Sequence, residues 1–198
     1  MMNQFELMED RYVPERVAAA QEFLVVISGC SGGGKSSLMQ ELATRGYRVF
    51  AEPGRQIVKE QNYIGGDAIP SKNARQFVEL CVSRAIHHMI LASETTAHVF
   101  FDRSLVDNIN GLQQMTGGAP PHLVTALEKF RYARKVFMTP PWPELFRNDA
   151  ERTHSYDIAL AEYATLVPAY ERLGHEVVEL PKVSVKDRVD FILRKLGL

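Results

Sequence analysis

A glycine-rich stretch, Gly29–Ser37, constrains most strongly what this chain can fold into. It reads Gly-Cys-Ser-Gly-Gly-Gly-Lys-Ser-Ser, it directly follows the apolar run 23–28, and a helical pattern begins at its end. The pattern G-x-x-x-x-G-K-[ST] binds phosphate in this strand, loop and helix context. Glycines let backbone N–H groups approach the anion, and the free amides at the start of the helix attract it too. We therefore expect a phosphate-binding loop rather than a chance glycine-rich turn.

Each position of this loop has a predicted role. Lys35 is expected to reach the β- and γ-phosphates of a nucleotide, and the Ser36 hydroxyl is expected to ligate Mg²⁺. For Cys30 the backbone should matter more than the sulfur, although a reactive thiol of low pKa is the alternative at a helix N-terminus. ATP and Mg²⁺ are the predicted cofactors. The predicted nucleotide-binding residues of the loop are Gly29, Cys30, Ser31, Gly32, Gly33, Gly34, Lys35, Ser36 and Ser37.

Hydrophobic periodicity predicts an α/β chain in which strands alternate with helices. This alternation is typical of a parallel sheet with helices on both faces, here a three-layer P-loop NTPase fold with a five-stranded sheet. The 198 residues suit a single P-loop NTPase or kinase-like domain over 1–198, with 1–21 as an N-terminal arm and 141–155 as a candidate lid. The strands are predicted at 23–28, 47–52, 98–103, 135–138 and 176–180.

Composition excludes several classes of protein. The net charge is −1 with no block of like charge, which argues against nucleic-acid and membrane partners. Two cysteines imply no disulfide framework, and no Cys/His spacing indicates zinc. No apolar run has membrane-spanning length, and the first residues lack the apolar core of a signal peptide. We expect a cytoplasmic protein.

Polar residues follow two further predicted strands, at the sheet edge where ligands of parallel sheets collect. Asp102 ends the third strand and is the predicted second acidic group for Mg²⁺ or its water shell, with a surface cap as the alternative. Arg103 could brace a phosphate or form a structural ion pair. Glu52 ends the second strand and could take a proton from an attacking hydroxyl, or it could be an exposed carboxylate at a turn.

Basic residues near the last two strands are further candidates. Arg147 and Arg152 follow the fourth strand, and arginines of a closing segment would offset charge on the transferring oxygens. A solvated surface is the alternative for both. Lys182 follows the fifth strand and could border a purine. Trp142, which lies between prolines, could stack on a ring or simply pack.

Five stretches together resemble the P-loop kinase-like ATPases of the AAA_28-type domain group. That group is similar to the ribosylnicotinamide kinase domain of bacterial NAD regulators and, more distantly, to small nucleoside and nucleotide kinases. The stretches are ISGCSGGGKSSL, GYRVFAEPGRQIV, VFFDRSLVD, VFMTPPWPELFRNDAERTHS and LPKVSV. The resemblance implies a phosphate and Mg²⁺ site at Lys35 and Ser36, Asp102 as its acidic partner, and a lid that carries Arg147 and Arg152.

Deoxynucleoside kinases are similar in a further way. They have a Glu-Pro after the second strand, where the glutamate is the base, and an acid-Arg-Ser after the third. Glu52-Pro53 and Asp102-Arg103-Ser104 resemble these pairs, with the shorter Asp in place of Glu in the second. The chain is short for a ring-forming AAA machine and lacks the sensor and arginine-finger layout of that class.

These observations favour a Mg²⁺-dependent kinase that transfers the γ-phosphoryl group of ATP to a small, nucleoside-like metabolite. In this interpretation Lys35 and the lid arginines stabilise the transferring group, and Glu52 or Asp102 accepts the proton. A plain ATPase, or a nucleotide-dependent switch that acts on a protein partner, is the alternative. The Asn-Lys-x-Asp stretch of guanine-specific switches is absent from the sequence, which argues against GTP.

Overall fold

The structure is a computed structural model that describes residues 11–145 and 156–198. Within these ranges it contains one sheet of five parallel strands in the order β2-β3-β1-β4-β5, which confirms the predicted sheet. The strands are β1 (Leu24–Gly29), β2 (Arg48–Phe50), β3 (Val99–Asp102), β4 (Lys135–Thr139) and β5 (Glu176–Glu179).

Helices connect the strands on both faces of the sheet. They are α1 (Val17–Ala20), α2 (Lys35–Thr44), α3 (Pro53–Ile64), α4 (Ala74–Ala92), α5 (Leu105–Thr116), α6 (Pro121–Lys129), α7 (Tyr156–Arg172) and α8 (Val185–Leu196). β2 is shorter than predicted because Pro53 already begins α3. Helix α7 runs through Pro168 without ending there.

Strand β1 lies at the centre of the sheet, and all six of its residues are buried. It pairs with β3 on one side and with β4 on the other. β2 and β5 form the two edges and are only partly buried. The loop that follows β1 therefore emerges between the connections of both halves of the sheet, which is where a ligand of a parallel sheet binds.

Alternate residues of β1 pack into different layers, as the period of a strand requires. Leu24 and Val26 belong to a core formed with α4, α5, α6 and α7. Val25 and Ile27 belong to a second core formed with α2 and α8. The strand is thus apolar throughout because both of its faces are covered.

The described part of the N-terminal arm packs on the larger core. Residues Pro14–Arg16 and Gln21–Phe23 form 3₁₀ turns on either side of α1, and Val17 and Ala20 of α1 are buried. Among the helices of the described ranges, none is both long enough and apolar enough to span a bilayer.

Candidate active site

The phosphate-binding loop joins β1 to the first turn of α2. Lys35, the first residue of α2, is buried, and its ammonium group donates to the carbonyls of Gly29 at 3.1 Å and Cys30 at 2.9 Å. Ser36 and Ser37 are exposed at the start of the same helix. The side chain of Lys35 therefore lies along the inside of the loop while the two hydroxyl groups face outward.

Two of the loop glycines are required by what surrounds them. Gly29 has φ +115°, and a β-carbon there would lie 2.3 Å from the carbonyl oxygen of Thr139, at the end of β4. Gly34 has φ +83°, and its β-carbon would lie 3.1 Å from Nη2 of Arg188 in α8. The end of β4 and the first turn of α8 thus pack directly on the loop, and only glycine fits.

Burial governs the charge of Lys35. It lowers the pKa of the ammonium group from 10.5 to about 8, with Arg103 adding to the effect and Asp102 and Glu52 opposing it. Burial also raises the pKa of Cys30, whose thiol points to the carbonyl of Ala159 in α7 at 3.5 Å. The raised pKa argues against the alternative of a reactive thiol at Cys30.

Arg103 follows β3 and lies between two carboxylates. Its Nε is 3.0 Å from Oε1 of Glu52, and its Nη1 is 3.4 Å from Oδ1 of Asp107. Burial alone would lower the pKa of Arg103, but Glu52, Asp107 and Asp102 raise it above its ordinary value. The residue has φ +65°, an unfavourable backbone conformation for a residue with a side chain that functional sites often contain.

Asp102 is the candidate partner of a metal ion. Its carboxyl group is buried, Oδ1 has no hydrogen-bond partner in the structure, and burial raises its pKa, which Lys35 opposes. In the described ranges no group of three His, Cys, Asp or Glu side chains could hold a metal. An unsatisfied carboxylate oxygen suits Mg²⁺, which binds through few protein oxygens and takes its other ligands from phosphate and water. The Ser36 hydroxyl lines the same cleft as Asp102.

Asp107 is a residue that the motif analysis did not select. Its carboxylate accepts from Ser28 Oγ, from the N–H of Ser104 at 2.9 Å and from the hydroxyl of Tyr170 at 2.5 Å. Ser104 and Asp107 form the capping box that begins α5. The spacing Ser-x-x-Asp was therefore a readable signal for the cap, but not for the partners Ser28 and Tyr170, which lie far away in the sequence.

The sequence motifs did not indicate Arg188 either. This arginine of α8 is almost fully buried, donates from Nη1 to the carbonyl of Gly33 at 3.0 Å, and lies over the ring of Trp142 at 5.4 Å. Among the described residues no carboxylate pairs with it, and burial lowers its pKa. The Trp142 ring thus packs on a cation, and no sequence motif marked the partner.

These groups open into one cleft of about 960 Å³. Ser31, Gly32, Gly34, Lys35, Ser36 and Ser37 line it together with Glu52, Asp102 and Arg103, whereas Lys182 is exposed and does not. The predicted lid residues Arg147 and Arg152 lie outside the described residues. The side of the cleft away from the loop is formed by α3, α5 and α7, through Arg55, Val58, Asn62, Asn110, Gly111, Gln114, Glu162 and Thr165.

The fold and the loop define a P-loop protein with the architecture of the P-loop kinases. More specifically, the chain belongs to the AAA_28 family, described as an AAA domain, whose model matches residues 24–188. No curated protein matches the sequence significantly.

Solved structures of kinases share the fold at low sequence identity. The chain is similar to deoxyadenosine kinase from M. mycoides, with 15% identity, a TM-score of 0.61, and 88% of this chain and 98% of that one covered. It is similar to the NadR protein in complex with NR, with 14% identity, a TM-score of 0.68, and 92% of this chain but 53% of NadR covered. Thymidylate kinase from Ehrlichia chaffeensis has 11% identity and a TM-score of 0.58, with coverage of 89% and 99%.

Proposed function

We propose that this protein is a Mg²⁺-dependent kinase that transfers the γ-phosphoryl group of ATP to a small, nucleoside-like acceptor. The observation that carries the proposal is the shape of the cleft, which continues past the phosphate loop and the Glu52–Arg103 pair to a second region between α3, α5 and α7. A volume of about 960 Å³ is at the upper end of the range of small-molecule sites, so a nucleotide and a second small ligand fit more naturally than a nucleotide with water.

The strand order places different elements on the two sides of the phosphate loop. Segments after β2 and β3 supply Glu52, Asp102 and Arg103 on one side of the loop, and α8, which follows β5, supplies Val185 and Arg188 on the other. We assign the first side to the acceptor and the second to the base of ATP. Deoxyadenosine kinase with bound dATP and NadR with NAD and AMP-PNP share the fold and support a nucleotide in such a cleft.

In the proposed mechanism the acceptor hydroxyl gives its proton to Glu52 while its oxygen attacks the γ-phosphorus of ATP. The bond from that phosphorus to the bridging oxygen breaks and ADP leaves. Lys35 and Arg103 offset the charge that spreads over the transferring oxygens. Ser36 and Asp102 would hold Mg²⁺, which would neutralise part of the charge on the phosphates.

A plain ATPase or a nucleotide-dependent switch is the second candidate. The match to a family described as an AAA domain, rather than as a kinase, favours it. The two candidates differ in what limits turnover. A kinase hydrolyses ATP slowly until its acceptor is added, whereas an ATPase or switch turns over alone or with a protein partner.

The first test is ligand-dependent stability. A ligand at a hundred times its Kd adds about 2.7 kcal/mol to the free energy of unfolding. We expect Mg²⁺-ATP to raise the melting temperature more than Mg²⁺-GTP, because the sequence lacks the stretch that reads guanine. Lys35→Ala should lose this response. Lys129→Ala, which removes an exposed lysine of α6 far from the loop, is the matched control and should keep it.

The second test is a screen of nucleosides, including nicotinamide riboside, and of their monophosphates for ADP release coupled to an absorbance change. Release that one small molecule stimulates in the wild type, and not in Lys35→Ala, supports the kinase. ATP binding without any stimulated release would instead support the ATPase or switch, and a protein that binds no nucleotide would contradict both.

A further inference from the structure

The carboxylate of Asp107 lies where three separate parts of the fold meet. Its side chain is only 2% exposed. Ser28 donates to it from the end of β1, Ser104 from the start of α5 and Tyr170 from α7. The hydroxyl groups of Ser104 and Tyr170 are also 2.6 Å apart. The carboxylate thus has donors on both oxygens, as a buried carboxylate requires.

Oδ1 of Asp107 takes no part in the cap of α5. The capping contacts use Oδ2, which accepts from the N–H and the hydroxyl of Ser104. Oδ1 accepts from Ser28 and lies 3.4 Å from Nη1 of Arg103, two groups that a cap does not need. The second oxygen of this carboxylate therefore faces the proposed site of phosphoryl transfer.

Arg103 is held by Glu52 and Asp107 together, and we expect Glu52 alone to leave its guanidinium less well placed. Arginine side chains have many rotamers, and a single accessible carboxylate draws a guanidinium into a two-point pair. A two-point pair with Glu52 would occupy both of its oxygens, including the one that accepts the proton in the proposed mechanism. Oε2 already lies 3.6 Å from Nε of Arg55. Asp107 lies at the other end of the guanidinium and shares it with Glu52.

We propose that Asp107 is a positioning residue, which holds Arg103 where the transferring phosphoryl group passes, and that Tyr170 makes this position depend on α7. The inference rests on the proposed function. Helix α7 suits the second part of it, since Glu162 and Thr165 line the cleft and Thr165 accepts from Asn110 at 2.9 Å. A shift of α7 would thus reach Arg103 through two side chains.

The first experiment separates turnover from nucleotide binding. In Asp107→Asn we expect kcat to fall by on the order of a hundredfold, since a small displacement of a catalytic group has that effect, while KM for ATP stays within about twofold. Tyr170→Phe, which is less disruptive to folding, should lower kcat about fivefold, the value of one hydrogen bond. Tyr163→Phe is the matched control, because it removes a hydroxyl from the same helix that contacts Glu179 instead, and it should leave kcat unchanged.

The second experiment asks whether Asp107 acts through Arg103. It compares the melting temperature with Mg²⁺-ADP alone and with Mg²⁺-ADP plus aluminium fluoride, which takes the place of a phosphoryl group in transfer. We expect the wild type and Tyr163→Phe to gain an additional increase with the fluoride. Asp107→Asn and Arg103→Met should both lose that increase and keep the response to ADP, and the double variant should lose no more than either single one.

Three results would overturn the inference: equal loss of the ADP and fluoride responses in Asp107→Asn, additive losses in the double variant, or no fluoride response in the wild type. The first result would mean that the substitution impairs the whole nucleotide site rather than the position of Arg103. The melting-temperature measurements use no acceptor, unlike the measurement of kcat. Failure of the positioning role is thereby distinguished from failure of the kinase proposal, which the acceptor screen tests by itself.

Discussion

Lys35 is held in the free protein by the loop that it is proposed to serve. Its ammonium group donates to the carbonyls of Gly29 and Cys30, and burial has lowered its pKa to about 8. A bound phosphate would replace those neutral acceptors with charged oxygens and would therefore favour the protonated form. Nucleotide binding and protonation of this lysine are thus expected to be linked.

This linkage predicts proton uptake when Mg²⁺-ATP binds near pH 8. About half of the free protein has a neutral Lys35 at that pH, so binding should take up about half a proton, less at pH 7, and affinity should fall as pH rises above 8. Because the pKa is lower in the folded than in the unfolded chain, this group alone makes the free protein more stable as pH rises from 8 toward 10.5.

Calorimetry in two buffers of different ionisation enthalpy measures the uptake. Lys129→Ala should give the same value as the wild type. Proton release, or no dependence of the measured enthalpy on the buffer, would contradict the prediction.

The backbone of Arg103 carries a second prediction. Its φ of +65° is unfavourable for alanine and free of cost for glycine. Arg103→Gly and Arg103→Ala both lose the guanidinium, so both should lose turnover equally. In urea denaturation Arg103→Gly should nevertheless be the more stable by about 1 kcal/mol, and a more stable Arg103→Ala would show that the backbone is not strained.

Sequence reasoning selected residues that are contiguous or follow a strand, and it missed those that depend on distant partners. Lys35, Glu52, Asp102 and Arg103 all line the cleft as the motif and strand ends indicated. Arg188 contacts a carbonyl 155 positions away, which no local pattern encodes. The roles of Lys35, Glu52, Asp102 and Arg103 in binding and transfer stay predictions.

At the scale of elements, burial explains what could be predicted. The three central strands are continuous apolar runs because both of their faces are covered, and each was recognised from that run. The edge strand β2 was predicted as six residues and has three, because Pro53 already begins α3. The packing of α7 on the loop, by contrast, follows from the order of strands in the sheet, which hydrophobic periodicity does not determine.

Helix α5 contains a glycine that we explain by its place at the cleft. Gly111 lies in the helix interior, lines the cleft, and has open space where a β-carbon would be. Gly111→Ala should therefore raise the free energy of unfolding by about 0.5–1 kcal/mol, the cost of a glycine in a helix, while raising KM for the acceptor. Affinity for Mg²⁺-ATP should not change.

Gly46→Ala is a suitable comparison, because that position is equally open but has φ +89°. It should destabilise the protein by about 1 kcal/mol. Chemical denaturation distinguishes the two, and a destabilised Gly111→Ala would contradict the explanation.

At the scale of the whole molecule, the layer formed by α2 and α8 supports the phosphate loop from one face of the sheet. Arg188 connects α8 to the loop through the carbonyl of Gly33. Its guanidinium also lies over the ring of Trp142. A buried guanidinium without a carboxylate partner in the described ranges is costly, and a bound polyphosphate would reduce that cost. The free-energy cost of burying Arg188 in this layer is therefore expected to be lower in the nucleotide complex than in the free protein.

Arg188→Met tests this expectation. We expect the Kd for Mg²⁺-ATP to rise about tenfold, equivalent to about 1.4 kcal/mol, with a smaller change in the stability of the free protein. Arg45→Met is the matched control, since Arg45 joins α2 to α8 through Asp190 near the surface and should affect Kd little. Isothermal calorimetry measures both, and equal effects of the two variants would contradict the role of Arg188.

The two thiols are both buried, so the rate at which each is alkylated reports local opening of the structure around it. Cys30 lies beneath Ala159 of α7, and Cys81 lies inside α4, where burial raises its pKa to about 12. An alkylating reagent can modify Cys30 only while α7 is lifted from the phosphate loop, and Cys81 only while α4 is separated from the core. Without nucleotide, the labelling rate of Cys30 relative to that of Cys81 therefore reports how often α7 lifts from the loop compared with how often α4 separates from the core.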